Sequence, residues 1–530
     1  MNESLIAQFI NSVNLYPERQ ALYIDSQSYS YKTLCAMAEN LAQQLPQNSG
    51  KQSLCAILCR KSITAYVAIL ASLMAGSVYV PLNIKQPSER ITLMVKQAAV
   101  DFLIVAADCL THAKDVLQAI TKPLLVILPD TKILPNWCQE LQQHIFLTVV
   151  NFKKNAKSQI NYTEISKHGA YLMFTSGSSG LPKGIAVSNK NVTTYIQTIL
   201  DKYNPTPDDR FSQITELTFD LSVHDIFVCW AAGACLYPMT EAIPLNIVAF
   251  IQKYKLTFWL SVPSVIIYIQ QRMQHKLACF TSLRHSIFCG EQLSNRLAEF
   301  WSRVAPNATI DNFYGPTEAT IAITSHRWRQ NASSVFDFVP IGKPFPQHNI
   351  AIVDQNLQPV IQHTIGELCL SGSQLTQGYL ENLQLTQTNF IRLPAIDNGK
   401  NIWYRTGDLV QWHTEVGLLF KGRCDDQIQI KGCRVEKQEI ELALREAAGT
   451  EAVAVLPLKQ LDTIVLEIVA YISKPQYVID EIYQRCRQLL PDYLIPSAIV
   501  ELASLPKNAN GKTDYKQLRS FNLHGRNRFL

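Results

Sequence analysis

Short apolar runs alternating with amphipathic stretches restrict this chain to folds built from sheets with helices packed against them. The runs at 55–58, 102–105, 124–128, 145–150 and 257–262 hold four to six residues each. That length suits strands buried on both faces, as in largely parallel sheets. Between them, apolar residues recur at helical spacing over 31–45, 189–203 and 293–304, the pattern of a helix with one buried face. From about residue 341 the texture changes to short strands with Gly and Pro turns, at 350–353, 367–371 and 418–420. It changes again further on, with helices expected over 436–448 and 479–490 and strands over 452–457 and 465–472. The expectation is an α/β protein. A large N-terminal domain of layered α/β sheets spans 1–421 and includes a β-rich subdomain at about 341–421. A hinge at 422–427 leads to a small α+β C-terminal domain over 428–530.

Residues 62–84 carry no charge and are long enough to cross a bilayer. Ser62, Thr64, Ser72, Gly76, Ser77 and Pro81 interrupt them, however. A buried helix over 63–74, a turn at Gly76 and a buried strand over 78–82 account for the stretch better, so no membrane partner is expected. The first residues lack the basic segment of a signal peptide. Thirteen Cys are scattered without a C-x-x-C pair, as in a reducing compartment, and the expected location is cytoplasmic. A net charge of +5, with no Lys/Arg cluster interleaved with aromatics, argues against a nucleic-acid partner.

The chemistry starts at a strand-like run over 171–174 that opens into Thr175, Ser176, Gly177, Ser178, Ser179 and Gly180, followed by Lys183. Hydroxyls, amides freed by glycine and a single lysine can wrap phosphate oxygens. The spacing is not that of the G-x-x-x-x-G-K-[ST] loop. The segment instead resembles the signature of the acyl-adenylate-forming superfamily, which includes the adenylation domains of nonribosomal peptide synthetases. Further motifs follow in family order: 73–82 (LMAGSVYVPL), 312–318 (NFYGPTE), 404–409 (YRTGDL), 422–427 (GRCDDQ) and 510–514 (NGKTD). The resemblance covers essentially the whole chain. Gln429 stands where Lys is common, Asn83 where Asp is common, and Ser179 where Thr is frequent.

The resemblance implies a reaction and roles for named residues. A carboxylate attacks the α-phosphate of ATP while pyrophosphate leaves, so cations and Mg²⁺ must meet the accumulating charge. Catalysis would fall to Lys512, Thr317 and Glu318, with Glu318 also holding the metal. ATP would lie against the loop residues above and Gly290, Glu291, Asn312, Tyr314, Gly315, Asp408 and Arg423. In this reading Tyr314 stacks on adenine, Asn312 lies by its amino group and Asp408 accepts the ribose hydroxyls. Asp425 would be the pivot about which a mobile C-terminal domain turns between two half-reactions. Lys431 and Gly432 would then line a tunnel for the thiol.

Substrate class follows from Asp220. A buried carboxylate in that motif has a reason to exist if an α-ammonium must be paired, which favours an amino acid over a simple acid. By motif position the pocket comprises Asp220, Leu221, His224, Leu260, Ile287, Cys289, Phe313, Ile321 and Ala322. It is apolar and bulky, so a small amino acid is expected. Resemblance to proline-activating domains, with Phe313 as a packing face, favours L-proline; D-alanine:carrier-protein ligases are the alternative, and an acid:CoA ligase of the same fold is another. No Gly-Gly-x-Ser phosphopantetheine site occurs in the sixteen residues after Asp514. The expected acceptor is therefore a separate phosphopantetheinylated carrier protein.

Overall fold

The computed structural model describes residues 4–46, 52–148, 169–177, 180–240, 243–272, 279–330, 336–460, 464–508 and 512–521. The apolar runs become adjacent strands. Ile145–Thr148, Leu125–Leu128, Phe102–Val105, Leu54–Leu58, Val78–Leu82 and Gly169–Thr175 pair in parallel in that order, and Lys183–Ser188 closes the sheet antiparallel. A nine-stranded sheet has a parallel centre that includes Arg210–Gln213, Phe258–Ser261, His285–Phe288 and Thr309–Tyr314, with antiparallel edges. One continuous apolar core joins residues of both sheets. The charge-free stretch resolves into the helix Ile63–Met74 and the strand Val78–Leu82. Among the described residues no helix is long and apolar enough to cross a membrane.

Local signals place the phosphate loop. Gly169–Thr175 and Lys183–Ser188 form an antiparallel pair, so the intervening loop is a hairpin connection at the sheet edge. Ser188 then caps the helix Asn189–Tyr203 through a reciprocal box with Asn191, and Asn204 ends it in the left-handed conformation. These caps explain why the helix begins and stops where the sequence expects it.

The third sheet is antiparallel and runs from His348 to Arg423. Ile430, Val435, Ile440, Leu444 and Val455 belong to a separate core in the last part of the chain. There Gln427–Ile430, Cys433–Glu436, Val453–Gln460, Ile464–Ser473 and Ala498–Leu502 form a five-stranded sheet, with the helices Lys437–Ala448 and Ile479–Leu489 alongside in sequence. The strand Gly417–Arg423 absorbs Gly422 and Arg423, and the next strand begins at Gln427. The link between the two sheets is therefore Cys424–Asp426, narrower than the expected 422–427.

Candidate active site

A cavity of about 850 Å³ opens between the N-terminal sheets and the C-terminal part. Thr175, Ser176, Gly290, Glu291, Asn312, Phe313, Tyr314, Gly315 and Thr317 line it. Asp408, Arg423, Asp425, Lys431 and Gly432 line it as well. Residues expected at ATP and at the hinge are thus brought together from positions more than two hundred apart. Gly177 and Gly180 lie in the loop without lining the cavity, and Ser178 and Ser179 fall outside the described residues.

Several polar atoms here lack partners. Asn312 is buried and spends its amide N–H on the Val339 and Pro340 carbonyls at 3.1 and 3.0 Å, leaving Oδ1 without a donor. An orphaned buried acceptor costs about 1–3 kcal/mol, so a ligand amino group there is favoured. Asp408 accepts from the Tyr314 hydroxyl and pairs with Arg423. Burial lifts its carboxyl above the usual range, with Arg423 opposing. Burial pushes Glu291 to about 7; one of its oxygens accepts from the Ser264 amide at 2.7 Å, at the start of the helix Ser264–Arg272.

The amino-acid end is built around Asp220. It precedes the short helical turn Leu221–Val223, which runs into a π-helical turn at His224–Val228. Asp220 lines the cavity with Oδ2 unpartnered. Burial pushes its carboxyl up to about 6, while Thr317 and the Ile321 and Leu221 amides pull the other way. Leu221, Cys289, Phe313 and Ile321 form the adjoining wall. Leu260, Ile287 and Ala322 are buried but do not line the cavity. His224 is also behind the wall: its Nδ1 and the Tyr195 hydroxyl lie 2.7 Å apart, and burial lowers the imidazole to about 3. It is a neutral, buried histidine whose Nδ1 is engaged by Tyr195.

Three charged residues expected at the reaction centre have protein partners or lie outside the cavity. Glu318 is buried, accepts from the Tyr379 hydroxyl at 2.7 Å and pairs with Arg434 at 3.2 Å. Burial alone would raise its carboxyl, but Arg434 and Tyr379 hold it below the usual range. Lys183 pairs with Glu436 at 2.7 Å. Lys512 is exposed, next to Thr513, which bridges Lys507, and it does not line the cavity. Arg434, Glu436 and Tyr379 carry no signal by which sequence spacing could have selected them, and Gln427 was legible only as the end of the 422–427 motif. Among the described residues no group of three or more His, Cys, Asp or Glu could hold a metal alone. A lone buried carboxylate still fits Mg²⁺, which takes one or two carboxylates and fills its shell with phosphates and water.

The segment 431–432 packs against the N-terminal part at Val262. Gly432 has φ +80°, and a Cβ there would lie 2.3 Å from Val262 Cγ1 of the N-terminal sheets. Gly432→Ala should therefore cut transfer of a bound acyl group to a thiol about tenfold or more, through strain and lost docking. ATP–pyrophosphate exchange should fall less; the two rates measured side by side check it.

The family model described as AMP-binding enzyme matches residues 9–380. Tyrocidine synthase 3 of Brevibacillus parabrevis is 30% identical over 510 residues, 95% of this chain and 7% of that protein. Gramicidin S synthase 1 of Brevibacillus brevis is 28% identical over 514 residues, 96% and 44%. The chain thus spans less than half the length of these curated relatives. The Vibrio cholerae adenylation domain AlmE, solved in complex with glycyl-adenosine-5'-phosphate, superposes with a TM-score of 0.86 at 32% identity, covering 98% of this chain and 97% of that one. Motifs, layered sheets and a separate C-terminal domain agree with these likenesses, and the chain belongs to the AMP-binding enzyme family, among the nonribosomal-type adenylation domains of the acyl-adenylate-forming superfamily.

Proposed function

We propose that this chain activates a small uncharged α-amino acid as its aminoacyl-adenylate and then passes the acyl group to the phosphopantetheine thiol of a separate carrier protein. The observation that carries it is Asp220: a buried carboxylate on the cavity wall with one oxygen awaiting a donor. An α-ammonium would satisfy that oxygen and offset the desolvation of both charges.

In the first step a carboxylate oxygen of the amino acid bonds to the α-phosphorus and the bond to the bridging oxygen breaks, releasing pyrophosphate. Asp220 fixes the ammonium, Asn312 takes the adenine amino group, Asp408 the ribose hydroxyls, and Lys183 with the loop hydroxyls the departing phosphates. Lys512 reaches the reacting carboxylate once the C-terminal domain has turned about Asp425. Mg²⁺ held at Glu318 would supply charge neutralisation on the phosphate oxygens. In the second step the thiol sulfur bonds to the carbonyl carbon, the carbon–oxygen bond to AMP breaks, and the thiol proton is lost to solvent.

Within this class glycine comes first, because the similar Vibrio protein holds a glycyl-adenylate. L-proline is the second reading, resting on Phe313 as a packing face. Exchange of labelled pyrophosphate into ATP across glycine, L-proline, D-alanine, L-alanine and matched acids lacking the amine tests both levels. Glycine should exceed L-proline by about tenfold, the scale of discrimination that a pocket wall can provide. Exchange driven as well by the amine-free acids would overturn the proposal in favour of an acid:CoA ligase.

A further inference from the structure

The segment that leads to Asp220 is gripped from outside its own sheet. The strand Arg210–Gln213 of the nine-stranded sheet ends at Gln213, and the chain then runs along the cavity through Ile214, Thr215, Glu216, Thr218 and Phe219 to Asp220. Three side chains beside strands of the other, seven-stranded sheet reach across to its first residues. Lys61, between the strand Leu54–Leu58 and the helix Ile63–Met74, donates to the Ile214 carbonyl at 2.5 Å and to the Met239 carbonyl at 3.3 Å. Tyr66 of that helix donates to Gln213 Oε1 at 3.0 Å, and the Gln213 amide turns to the Thr215 carbonyl. Lys85, past the strand Val78–Leu82, pairs with Glu216 at 2.6 Å. Lys61 ties two strand ends at once, because Gln213 and Pro238 are register partners and the two carbonyls it binds directly follow them. Backbone turns carry the grip onward. The Phe219 amide donates to the Glu216 carbonyl at 3.1 Å, and the Ser222 amide donates to the Phe219 carbonyl at 3.0 Å, with Asp220 inside this second turn.

Resting on the adenylation reading above, we propose that Lys61 is a positioning residue for amino-acid recognition, whose ammonium holds the 214–220 segment so that the Asp220 carboxylate meets the substrate ammonium. Carbonyls past the end of a strand have left the ladder, and burying them without a donor is unfavourable. A single cation between two of them satisfies both. Lys61 is half-buried; burial lowers its ammonium to about 8, with Glu216 opposing, so it is still a cation at neutral pH. On the far side of Asp220, the π-helical turn carries Asp225, buried with Oδ2 unpartnered. Burial raises the Asp225 carboxyl well above the usual range, and Lys61 opposes that rise. Lys61 therefore acts on both flanks of Asp220, upstream through the Ile214 carbonyl and downstream through its field at Asp225. It does not itself line the cavity. Asn312, Tyr314 and Asp408, expected at the nucleotide, stand on the separate strands Thr309–Tyr314 and Trp403–His413. Loss of the Lys61 charge should thus reach the amino acid and spare ATP.

Steady-state ATP–pyrophosphate exchange on the full chain reads this split, with whichever amino acid the parent exchanges fastest. Lys61→Met keeps the stem and removes the charge. It should raise the KM for the amino acid about tenfold, the scale of one charged hydrogen bond, and leave the KM for ATP within about twofold. Lys61→Arg keeps a cation with several donors and should stay within about threefold of the parent. A second readout needs no turnover. Amide hydrogen exchange over residues 214–223 should quicken about tenfold in Lys61→Met but not in Lys61→Arg, while the helix Asn189–Tyr203 exchanges as in the parent. Should Lys61→Met fail to fold, Lys61→Gln takes its place with the same expectations. Equal rises in both KM values, an amino-acid KM indistinguishable from the parent's, unchanged hydrogen exchange over 214–223, or a Lys61→Arg chain no better than Lys61→Met overturns the proposal. A parent that exchanges no amino acid would sink the adenylation reading instead, and the hydrogen-exchange comparison would still decide whether Lys61 holds the segment.

Discussion

Lys512→Ala should lower amino-acid-dependent ATP–pyrophosphate exchange about a thousandfold, roughly 4 kcal/mol of transition-state stabilisation. The same variant should convert supplied aminoacyl-adenylate to thioester at a rate within about threefold of the parent chain. The contrast follows from the proposed function and one observation. In the proposed function, Lys512 of the 510–514 motif neutralises charge at the α-phosphate. In the structure, Lys512 is exposed and outside the cavity, and Lys431 and Gly432 face it instead. A lysine that serves one domain orientation should be silent in the other. Equal loss in both half-reactions would mean that the lysine acts on folding or docking rather than on adenylation.

Asp220→Ala should raise the KM for the amino acid about a hundredfold or more and change the KM for ATP less than twofold. Removing one partner of a buried pair costs about 3–5 kcal/mol, because the remaining ammonium is left uncompensated. The parent enzyme should also show a pH signature. Burial puts the Asp220 carboxyl at about 6 in the unliganded protein. Raised above its ordinary value, the group is charged only above about pH 6, where it can receive an ammonium. Below that, KM should climb about tenfold per pH unit, since the amino group of the substrate stays protonated throughout. Steady-state kinetics from pH 5 to 8 checks this, and Asp220→Ala should flatten the profile.

Much of the fold was legible because local and global signals agree. The helix Asn189–Tyr203 carries its own cap at each end, and the runs at 55–58 and 102–105 lie in neighbouring parallel strands. The charge-free stretch resolved correctly because Gly76 and Pro81 punctuate it. The cavity residues Asp220, Asn312, Tyr314 and Asp408 were found through motifs rather than periodicity, since Asp220 precedes a helical turn and the other three lie on two separate strands, positions that no single period marks.

What the sequence hid is long-range ionic pairing. Lys183 and Glu436 are 253 residues apart, Glu318 and Arg434 are 116 apart, and Arg90 and Glu439 are 349 apart. Each of those side chains reads, in isolation, as a solvated surface charge. His224 was expected in the pocket by motif position; it lies at the start of the π-helical turn His224–Val228, with its Nδ1 against the Tyr195 hydroxyl. Likewise no pattern in residues 422–427 could show that strand pairing would claim Arg423 and leave so short a link.

The central claim is that the carboxylate of an Asp220-bound amino acid attacks the α-phosphorus of ATP. Incubating the protein with ATP, Mg²⁺ and glycine or L-proline labelled with ¹⁸O in both carboxylate oxygens, then discharging the adenylate with a thiol, tests it directly. The account predicts that AMP leaves with a single ¹⁸O and that Asp220→Ala forms this labelled AMP far more slowly. AMP free of label, or ADP in its place, would contradict it.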